Sequence, residues 1–177
     1  MNRWLRLVYF FLVVRFRTKV HFLEPVEVPF WCWPADLDIY NHMNNSRYLN
    51  LMDIGRADLV IRCGLWDQLK AHSYFLIVEG QTIRYKKSLK LGQAFVIRTQ
   101  VLGWNDKSFF LRQTFVRRGE VMADAVVKGR ILRKARGTVP PAEVLKLAGA
   151  EGTESPALPA VVRDWDKGVQ EMLTRGS

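Results

Sequence analysis

The stretch DLDIYNHMNNSRY, residues 36–48, decides how this 177-residue chain is interpreted. It places two carboxylates, one histidine and three amide side chains immediately before a helical pattern. Asn44 and Asn45 suit a helix start, because an Asn side chain accepts hydrogen bonds from free first-turn N–H groups. Apolar residues over 46–62 fall on more than one helical face, which indicates an enclosed helix, and Gly64 is a natural stop.

Outward from this helix the pattern becomes β-rich. Residues 26–33 alternate and are rich in β-formers, so they predict a strand that Pro34-Ala35-Asp36 ends. After a connector over residues 65–73, four further strands are predicted at residues 74–85, 94–102, 108–118 and 121–132. Short turn-like connections between them are typical of an antiparallel meander. The order predicts an α+β fold, in which an antiparallel sheet wraps one long central helix.

The two ends of the chain differ from this predicted domain, which we place at residues 21–136. Residues 137–177 predict a peripheral helical tail, with helices over 142–148 and 161–174 and no chemistry of its own. Residues 1–20 form a hydrophobic, basic N-terminal segment, whose longest uncharged apolar run has eight residues, Leu7 to Val14. Because spanning a bilayer takes about 20 apolar residues, this run is too short to cross a membrane as a helix.

Two interpretations of the N-terminal segment stay open. Residues 4–16 could contact a membrane surface peripherally, with aromatic groups inserted and arginines at phosphate level. Alternatively, the segment packs against the fold or against a partner subunit, because its five aromatic side chains would be costly to expose. No small-residue cleavage site follows, which argues against a secretory signal. The expected location is therefore the cytoplasm, with or without membrane association.

Composition limits the classes of function. A net charge of +10 favours anionic partners such as a lipid surface, nucleic acid or phosphate-bearing coenzyme A. No nucleic-acid partner is expected, because the sequence lacks an aromatic RNA-binding motif, a zinc finger and a helix-turn-helix pattern. Two cysteines and three scattered histidines form no metal motif, and no glycine-rich phosphate loop is present. The sequence therefore implies neither a metal nor a cofactor.

Residues 36–48 carry the parts needed to attack an ester or thioester carbonyl. A helix N-terminus offers free N–H donors and a partial positive charge, which polarise a carbonyl and hold a developing oxyanion. A carboxylate beside that point acts as a nucleophile or as a general base for water. The pattern predicts this chemistry at the start of the central helix.

The same stretch resembles the signature of hotdog-fold thioesterases of the 4-hydroxybenzoyl-CoA thioesterase type, D-x-D-xxx-H-V/M-N-N-xx-Y. The resemblance spans roughly residues 26–132, and the strand–helix–four-strand order is that fold's order too. Three later pieces, RCGL at 62–65, KSLKL at 87–91 and LGWND at 102–106, are similar to a narrower group, the membrane-associated thioesterase superfamily member 6 proteins. The resemblance implies hydrolysis of an acyl-CoA or acyl-carrier-protein thioester. It also implies a homodimer or higher homo-oligomer, because the acyl tunnel of such enzymes lies between two subunits.

The resemblance assigns roles to individual residues. Asp36 falls where the bacterial enzymes place their catalytic carboxylate. Asp38 and His42 match a carboxylate and a histidine of the plant acyl-carrier-protein thioesterase site, although Tyr40 stands where those enzymes have Asn. The backbone N–H groups near Met43 and Asn44 are the expected carbonyl polarisers.

Four residues are predicted to bind substrate: Asn45, Tyr48, Lys87 and Arg130. Each has a structural alternative: Asn45 can cap the helix, Tyr48 can belong to the core, and both cations can belong to a solvated basic edge. Two functions follow as hypotheses. The first is a thioester hydrolase, and the second is a non-catalytic acyl- or lipid-binding protein that associates with membranes.

Overall fold

The computed structural model of the chain describes residues 13–14 and 16–174. Five strands form one antiparallel sheet in the order β1-β3-β4-β5-β2. Their bounds are β1 Val26–Trp31, β2 Tyr74–Tyr85, β3 Ala94–Trp104, β4 Phe109–Arg117 and β5 Glu120–Arg133. The predicted antiparallel meander holds for β3, β4 and β5. It is wrong for β2, which does not pair with β3 but with β5 at the far edge of the sheet, while β1 takes the place beside β3.

The predicted central helix is also confirmed, as α1, Asn45–Arg62. Three shorter helices follow it in the chain, namely α2 Leu65–Ala71, α3 Pro141–Leu147 and α4 Ala160–Thr174. The Asn44 side chain caps α1 by accepting the Ser46 N–H at 2.9 Å. Buried side chains of α1 pack against the inner face of the sheet, so the α+β hotdog architecture is confirmed.

The ends of the predicted helices and strands shift by at most two residues, and one helix was not predicted. Strand β1 ends at Trp31, two residues early, because the chain turns into a 3-10 helix over Pro34–Asp36. The predicted connector over residues 65–73 contains α2. Gly64, at φ 78°, does end α1, but the bend that it makes also starts α2. Leu65 and Leu69 lie one turn apart in α2 and are both buried, which is why these residues form a helix.

A buried polar layer crosses the middle of the core, between α1 and the sheet. Gln113 Nε2 donates to Met52 O at 2.9 Å and to Thr99 Oγ1 at 3.0 Å. Arg56 donates to Gln113 Oε1 at 2.7 Å and pairs through its other terminal nitrogen with Asp53. Burial lowers the pKa of Arg56. Because these polar groups are costly to leave unpaired, the layer fixes the position of α1 along the sheet.

Some of the described residues of the N-terminal segment contact the rest of the fold. Val14 lies in the core, and Arg17 holds the buried carboxylate of Asp58 at 2.5 Å. Arg62 approaches the same carboxylate at 3.2 Å and donates to Thr18 O at 2.7 Å. Burial raises the pKa of Asp58 despite its two arginines. Val14, Arg17 and Thr18 thus contact the fold, whereas the Phe16 side chain is 91% exposed, so both interpretations of the segment stay open. Residues 4–12 and 15 lie outside the described residues.

The C-terminal tail has two parts: Val144 and Leu145 of α3 are buried in the core with Leu59 and Val60 of α1, whereas residues 155–166 contact the outer face of the sheet. Lys128 on β5 pairs with Asp166 on α4 at 2.6 Å, and both side chains are largely buried. Ser155 Oγ accepts the Trp104 N–H at 2.8 Å, which joins the tail to β3. Within residues 13–14 and 16–174, no helix combines the length and apolar character that crossing a membrane requires.

Candidate active site

Asp36 closes the 3-10 helix that follows β1, and its side chain is buried. Its Oδ2 accepts the Trp33 N–H at 2.9 Å, and its backbone carbonyl accepts the Asn44 N–H at 2.8 Å. The second bond ties the carboxylate to the start of α1. Arg47, in the first turn of that helix, places its Nε 4.0 Å from Asp36 Oδ1. The structure thus brings a buried carboxylate, a helix N-terminus and a cation together.

Asp38 and His42 lie in the turn between this carboxylate and α1. Asp38 Oδ1 accepts the N–H groups of Tyr40 at 2.8 Å and of His42 at 3.2 Å, while its own N–H donates to His42 O. Asn41 completes the turn with φ 58°. The Asp38 carboxylate therefore shapes the turn, as Asp commonly does. The His42 backbone pairs with Lys90 across the turn.

The two N–H groups expected to polarise the carbonyl already have acceptors. The Met43 N–H donates to Leu89 O at 2.8 Å, and the Asn44 N–H donates to Asp36 O at 2.8 Å. The Asn45 N–H, by contrast, makes no hydrogen bond to any residue that the structure describes. It is the first helical N–H, on an exposed residue, and it is one of the helix donors that have no intrahelical acceptor.

Tyr48 is a core residue. Its ring packs at 4.8 Å from Phe115 and 5.0 Å from Tyr85, and its hydroxyl accepts the Leu89 N–H at 3.4 Å. Burial raises its pKa. Of the two roles that the sequence left open for Tyr48, the geometry favours packing beneath the start of α1.

Lys87 and Arg130 lie at opposite ends of the sheet. Lys87 pairs with Glu120 at the start of β5, near the Leu89 carbonyl that binds Met43. Arg130 pairs with Glu79 ten residues further along β5. At about 3.4 Å per residue, roughly 34 Å separates the two positions. The two cations cannot therefore hold the same phosphate group, and Lys87 is the one on the Asp36 side.

Arg47 is a candidate site residue that was not predicted from the sequence. Acidic residues are favoured in the first turn of a helix, because the macrodipole is positive there. The positive charge of Arg47 is therefore unfavourable for the helix itself. The Asp36 carboxylate, 4.0 Å away, offsets this cost. This local conflict is the signal that could have identified Arg47.

Exposed apolar side chains surround this end of the molecule. We call them the site rim: Trp31, Trp33, Ile39, Tyr40 and Leu91. Hydrogen bonds of Cys32 with Gln93 and Gly92 bring the two tryptophans beside Leu91, and the His42–Lys90 pairing brings the turn of Ile39 and Tyr40 to the same edge. Ile39 is 88% exposed and Tyr40 is 73% exposed. Such grouping of large exposed apolar residues marks an interaction surface.

Comparison with known proteins identifies the family. The family model of the thioesterase-like superfamily matches residues 32–165. The chain belongs to this superfamily. It is 37% identical over 134 residues to the protein THEM6 of Xenopus laevis, covering 76% of this chain and 63% of that protein. It is 32% identical over 93 residues to the long-chain acyl-CoA thioesterase FadM of Escherichia coli, covering 51% of this chain and 70% of FadM.

The chain spans 63% and 46% of the THEM6 proteins of Xenopus laevis and Danio rerio that it matches. Solved structures confirm the fold. The probable thioesterase YbaW of Escherichia coli gives a TM-score of 0.66 at 24% identity, covering 72% of this chain and 98% of YbaW. Slr0204 of Synechocystis, a 1,4-dihydroxy-2-naphthoyl-CoA thioesterase, gives 0.62 at 11% identity, covering 71% and 95%.

Proposed function

We propose that this chain hydrolyses acyl-CoA thioesters at the start of α1. The proposal rests on the position of Asp36. Its carboxylate is buried, and its backbone carbonyl accepts the N–H of Asn44, the residue that caps α1. The names of superfamily members such as FadM support the reaction class. The test is release of free coenzyme A from acyl-CoA by the purified chain.

In the proposed reaction, the thioester oxygen lies at the Asn45 N–H and the helix dipole stabilises the charge that develops on it. Asp36 removes a proton from water, whose oxygen bonds to the carbonyl carbon. Alternatively, Asp36 attacks that carbon directly and water hydrolyses the mixed anhydride. In both routes the C–S bond breaks, the thiolate takes up a proton, and a carboxylic acid is the second product.

Asp38 and His42 enter the proposal with a secondary role. Asp38 holds the turn through two backbone N–H groups, so it positions the loop between Asp36 and α1. His42 is half-buried in that turn, and it remains the candidate for protonating the leaving thiolate.

Basic residues at the same end of the sheet favour a phosphate-bearing carrier. The backbone N–H groups of Lys86 and Lys87 donate to Met122 O, and the Lys90 backbone pairs with that of His42. Arg47 Nε lies 4.0 Å from Asp36 Oδ1. Lysine and arginine side chains bind phosphate through charge-assisted hydrogen bonds. Coenzyme A and the phosphopantetheine arm of a carrier protein share this chemistry, and parallel assays with both carriers distinguish them.

We also propose a homodimer, formed through the outer edge of β2. Within the described residues, β2 pairs with β5 on one side and has no strand on the other. Phe75, Leu76, Val78 and Tyr85 are each between 39% and 46% exposed along this edge. An unpaired strand edge with apolar side chains is a template for pairing, and a second copy satisfies it symmetrically.

If the dimer forms through β2, a single charge introduced at this edge should change the oligomeric state. Phe75→Glu should turn the dimer into a monomer at micromolar concentration, because it would bury an unpaired carboxylate in the apolar contact between the two edges. Light scattering coupled to size-exclusion chromatography measures the mass. Ile39→Glu, on the site rim, is the matched control and should stay dimeric. A monomeric wild-type chain would contradict the proposed dimer.

A second candidate function, lipid binding at a membrane, is favoured by the site rim. Two tryptophans, a tyrosine, an isoleucine and a leucine lie beside Lys86, Lys87 and Lys90, and this combination suits an anionic lipid–water interface. The proposal of membrane contact through residues 4–16 stands beside it. The two functions are compatible, because acyl-CoA thioesters partition into membranes.

Vesicle binding tests the membrane contact. Ile39→Asp should weaken co-sedimentation with vesicles of phosphatidylcholine and phosphatidylserine at least fivefold, because it places a charge at an exposed apolar tip. Val161→Asp, at an exposed position on α4, should leave binding unchanged. Equal binding by the two variants would show that the rim does not touch lipid.

A further inference from the structure

The hairpin between β4 and β5 has an arginine where the backbone disfavours one. Arg117 on β4 pairs with Glu120 on β5, so the turn between them consists of Arg118 and Gly119. Their φ angles are 50° and 78°. Such turns favour Asn-Gly, because residues other than Gly, Asn and Asp rarely adopt a positive φ. Arg118 therefore occupies the turn at a conformational cost, which indicates a role for its charge.

The fold does not neutralise the positive charge of this hairpin. Glu120 lies opposite Arg117 in the register but pairs with Lys87. The next carboxylate along β5, Asp124, accepts two hydrogen bonds from Arg112, at 2.8 and 2.6 Å. Arg117 Nε is buried and makes no hydrogen bond to any residue that the structure describes. Both hairpin arginines are thus left without a carboxylate partner among the described residues.

Two lysines at the end of β2 extend this basic surface. The backbone N–H groups of Lys86 and Lys87 donate to Met122 O on β5, which places both residues beside the hairpin. We call Lys86, Lys87, Arg117 and Arg118 the basic hairpin patch, and each of them is exposed or half-buried. Because Lys87 takes the Glu120 carboxylate, the patch keeps an excess of positive charge at the surface.

The register of the sheet puts this patch on the same end of the molecule as the site rim. Trp31 pairs with Ala94, and Val96 on the same strand pairs with Val116, two residues before Arg118. Two strand spacings, about 10 Å, therefore separate the rim tryptophan from the hairpin. We propose that the basic hairpin patch binds the phosphate groups of an anionic lipid surface. Positive charge beside exposed aromatic side chains suits such a surface, where phosphates lie just outside the acyl chains.

The inference extends the second candidate function, membrane contact, and does not depend on hydrolysis. The site rim would contact lipid through apolar side chains, whereas the patch would contact it through charge. The two contributions respond differently to salt, because the Debye length falls from about 10 Å at 0.1 M to about 3 Å at 1 M. High salt should therefore remove the contribution of the patch and leave that of the rim.

The test replaces one arginine of the patch. Asparagine accepts a positive φ and forms the preferred turn with Gly119, so Arg118→Asn should raise the urea midpoint of unfolding. The same substitution should weaken binding to vesicles of phosphatidylcholine and phosphatidylserine about fivefold, the effect of one cation near an anionic membrane. Arg136→Asn is the matched control. Arg136 also has a positive φ, 97°, but lies in an exposed turn beyond the opposite end of β5, so vesicle binding should stay unchanged.

Co-sedimentation of the full chain over a range of lipid concentrations measures the binding. The loss in Arg118→Asn should disappear on vesicles of phosphatidylcholine alone and at high salt. The proposal is overturned if Arg118→Asn and Arg136→Asn bind alike, if the loss persists on uncharged vesicles, or if the wild-type chain binds neither kind of vesicle. A higher KM for acyl-CoA in Arg118→Asn, with vesicle binding unchanged, would assign the patch to a substrate phosphate instead.

The rim variant separates the two membrane contacts. If Ile39→Asp binds phosphatidylserine vesicles as the wild type does and Arg118→Asn binds them more weakly, the rim contact fails and the patch assignment holds. If Ile39→Asp alone weakens binding, the patch assignment fails. Vesicle binding requires no turnover, so either result stands whether or not the chain hydrolyses acyl-CoA.

Discussion

Asp36→Asn should lower acyl-CoA turnover at least 100-fold, because the amide neither removes a proton from water nor attacks the carbonyl. The substitution preserves the size of the side chain and an oxygen that can accept the Trp33 N–H, which the carboxylate accepts at 2.9 Å. The fold should therefore remain intact. The measurement is kcat with hexadecanoyl-CoA, alongside a thermal unfolding curve of the same preparation.

Asp38→Asn is the matched control for this prediction. Asp38 lies two residues away and uses Oδ1 as an acceptor for the Tyr40 and His42 N–H groups, which an amide oxygen also does. Its turnover should stay within about fivefold of wild type, since the turn keeps its hydrogen bonds. Equal losses of turnover in the two variants would show that the effect comes from disturbing the turn and not from losing the Asp36 carboxylate.

Gly55→Ala should destabilise the protein by about 1–3 kcal/mol, although alanine is normally the better helix residue. A Cβ at Gly55 would lie 2.9 Å from both Gln113 Nε2 and Thr99 Oγ1. Those two atoms are hydrogen-bonded to each other, and Gln113 also holds Met52 O, so they cannot move apart cheaply. Urea unfolding followed by circular dichroism gives the change in free energy.

Gly168→Ala, in contrast, should raise the free energy of unfolding. Gly168 lies within α4, and apart from the adjacent helix backbone no heavy atom of the described residues lies within 4 Å of the position that its Cβ would take. Without a clash, the helix preference of alanine should stabilise the protein by about 0.5–1 kcal/mol. Stabilisation by both substitutions would show that α1 does not press against the buried polar layer.

The helices and strands could largely be predicted from the sequence, because each is indicated by several independent local patterns. Periodicity, turn residues and the Asn44 cap all point to one helix and four consecutive strands, and the strands lie close to their predicted places. Helix α2 was missed because seven residues give too short a pattern, and because Gly64 signals the end of α1 more strongly than the start of another helix.

The candidate site was predicted only in part, because its geometry depends on contacts distant in sequence. The Met43 N–H is used by Leu89, and no local pattern reveals that pairing. Lys87 and Arg130 look alike as basic residues near strand ends, yet the register of β5 puts them far apart. Asp36 was proposed from its motif, whereas Arg47 became a candidate only because the fold brings its guanidinium 4.0 Å from that carboxylate.

The most direct test of the central claim is release of free thiol from hexadecanoyl-CoA by the purified wild-type chain, followed with a thiol reagent at neutral pH. The account predicts continuous thiol release proportional to protein concentration, with hexadecanoate as the second product. Thiol release no faster than the uncatalysed reaction, for aliphatic and aromatic acyl-CoA substrates alike, would contradict it.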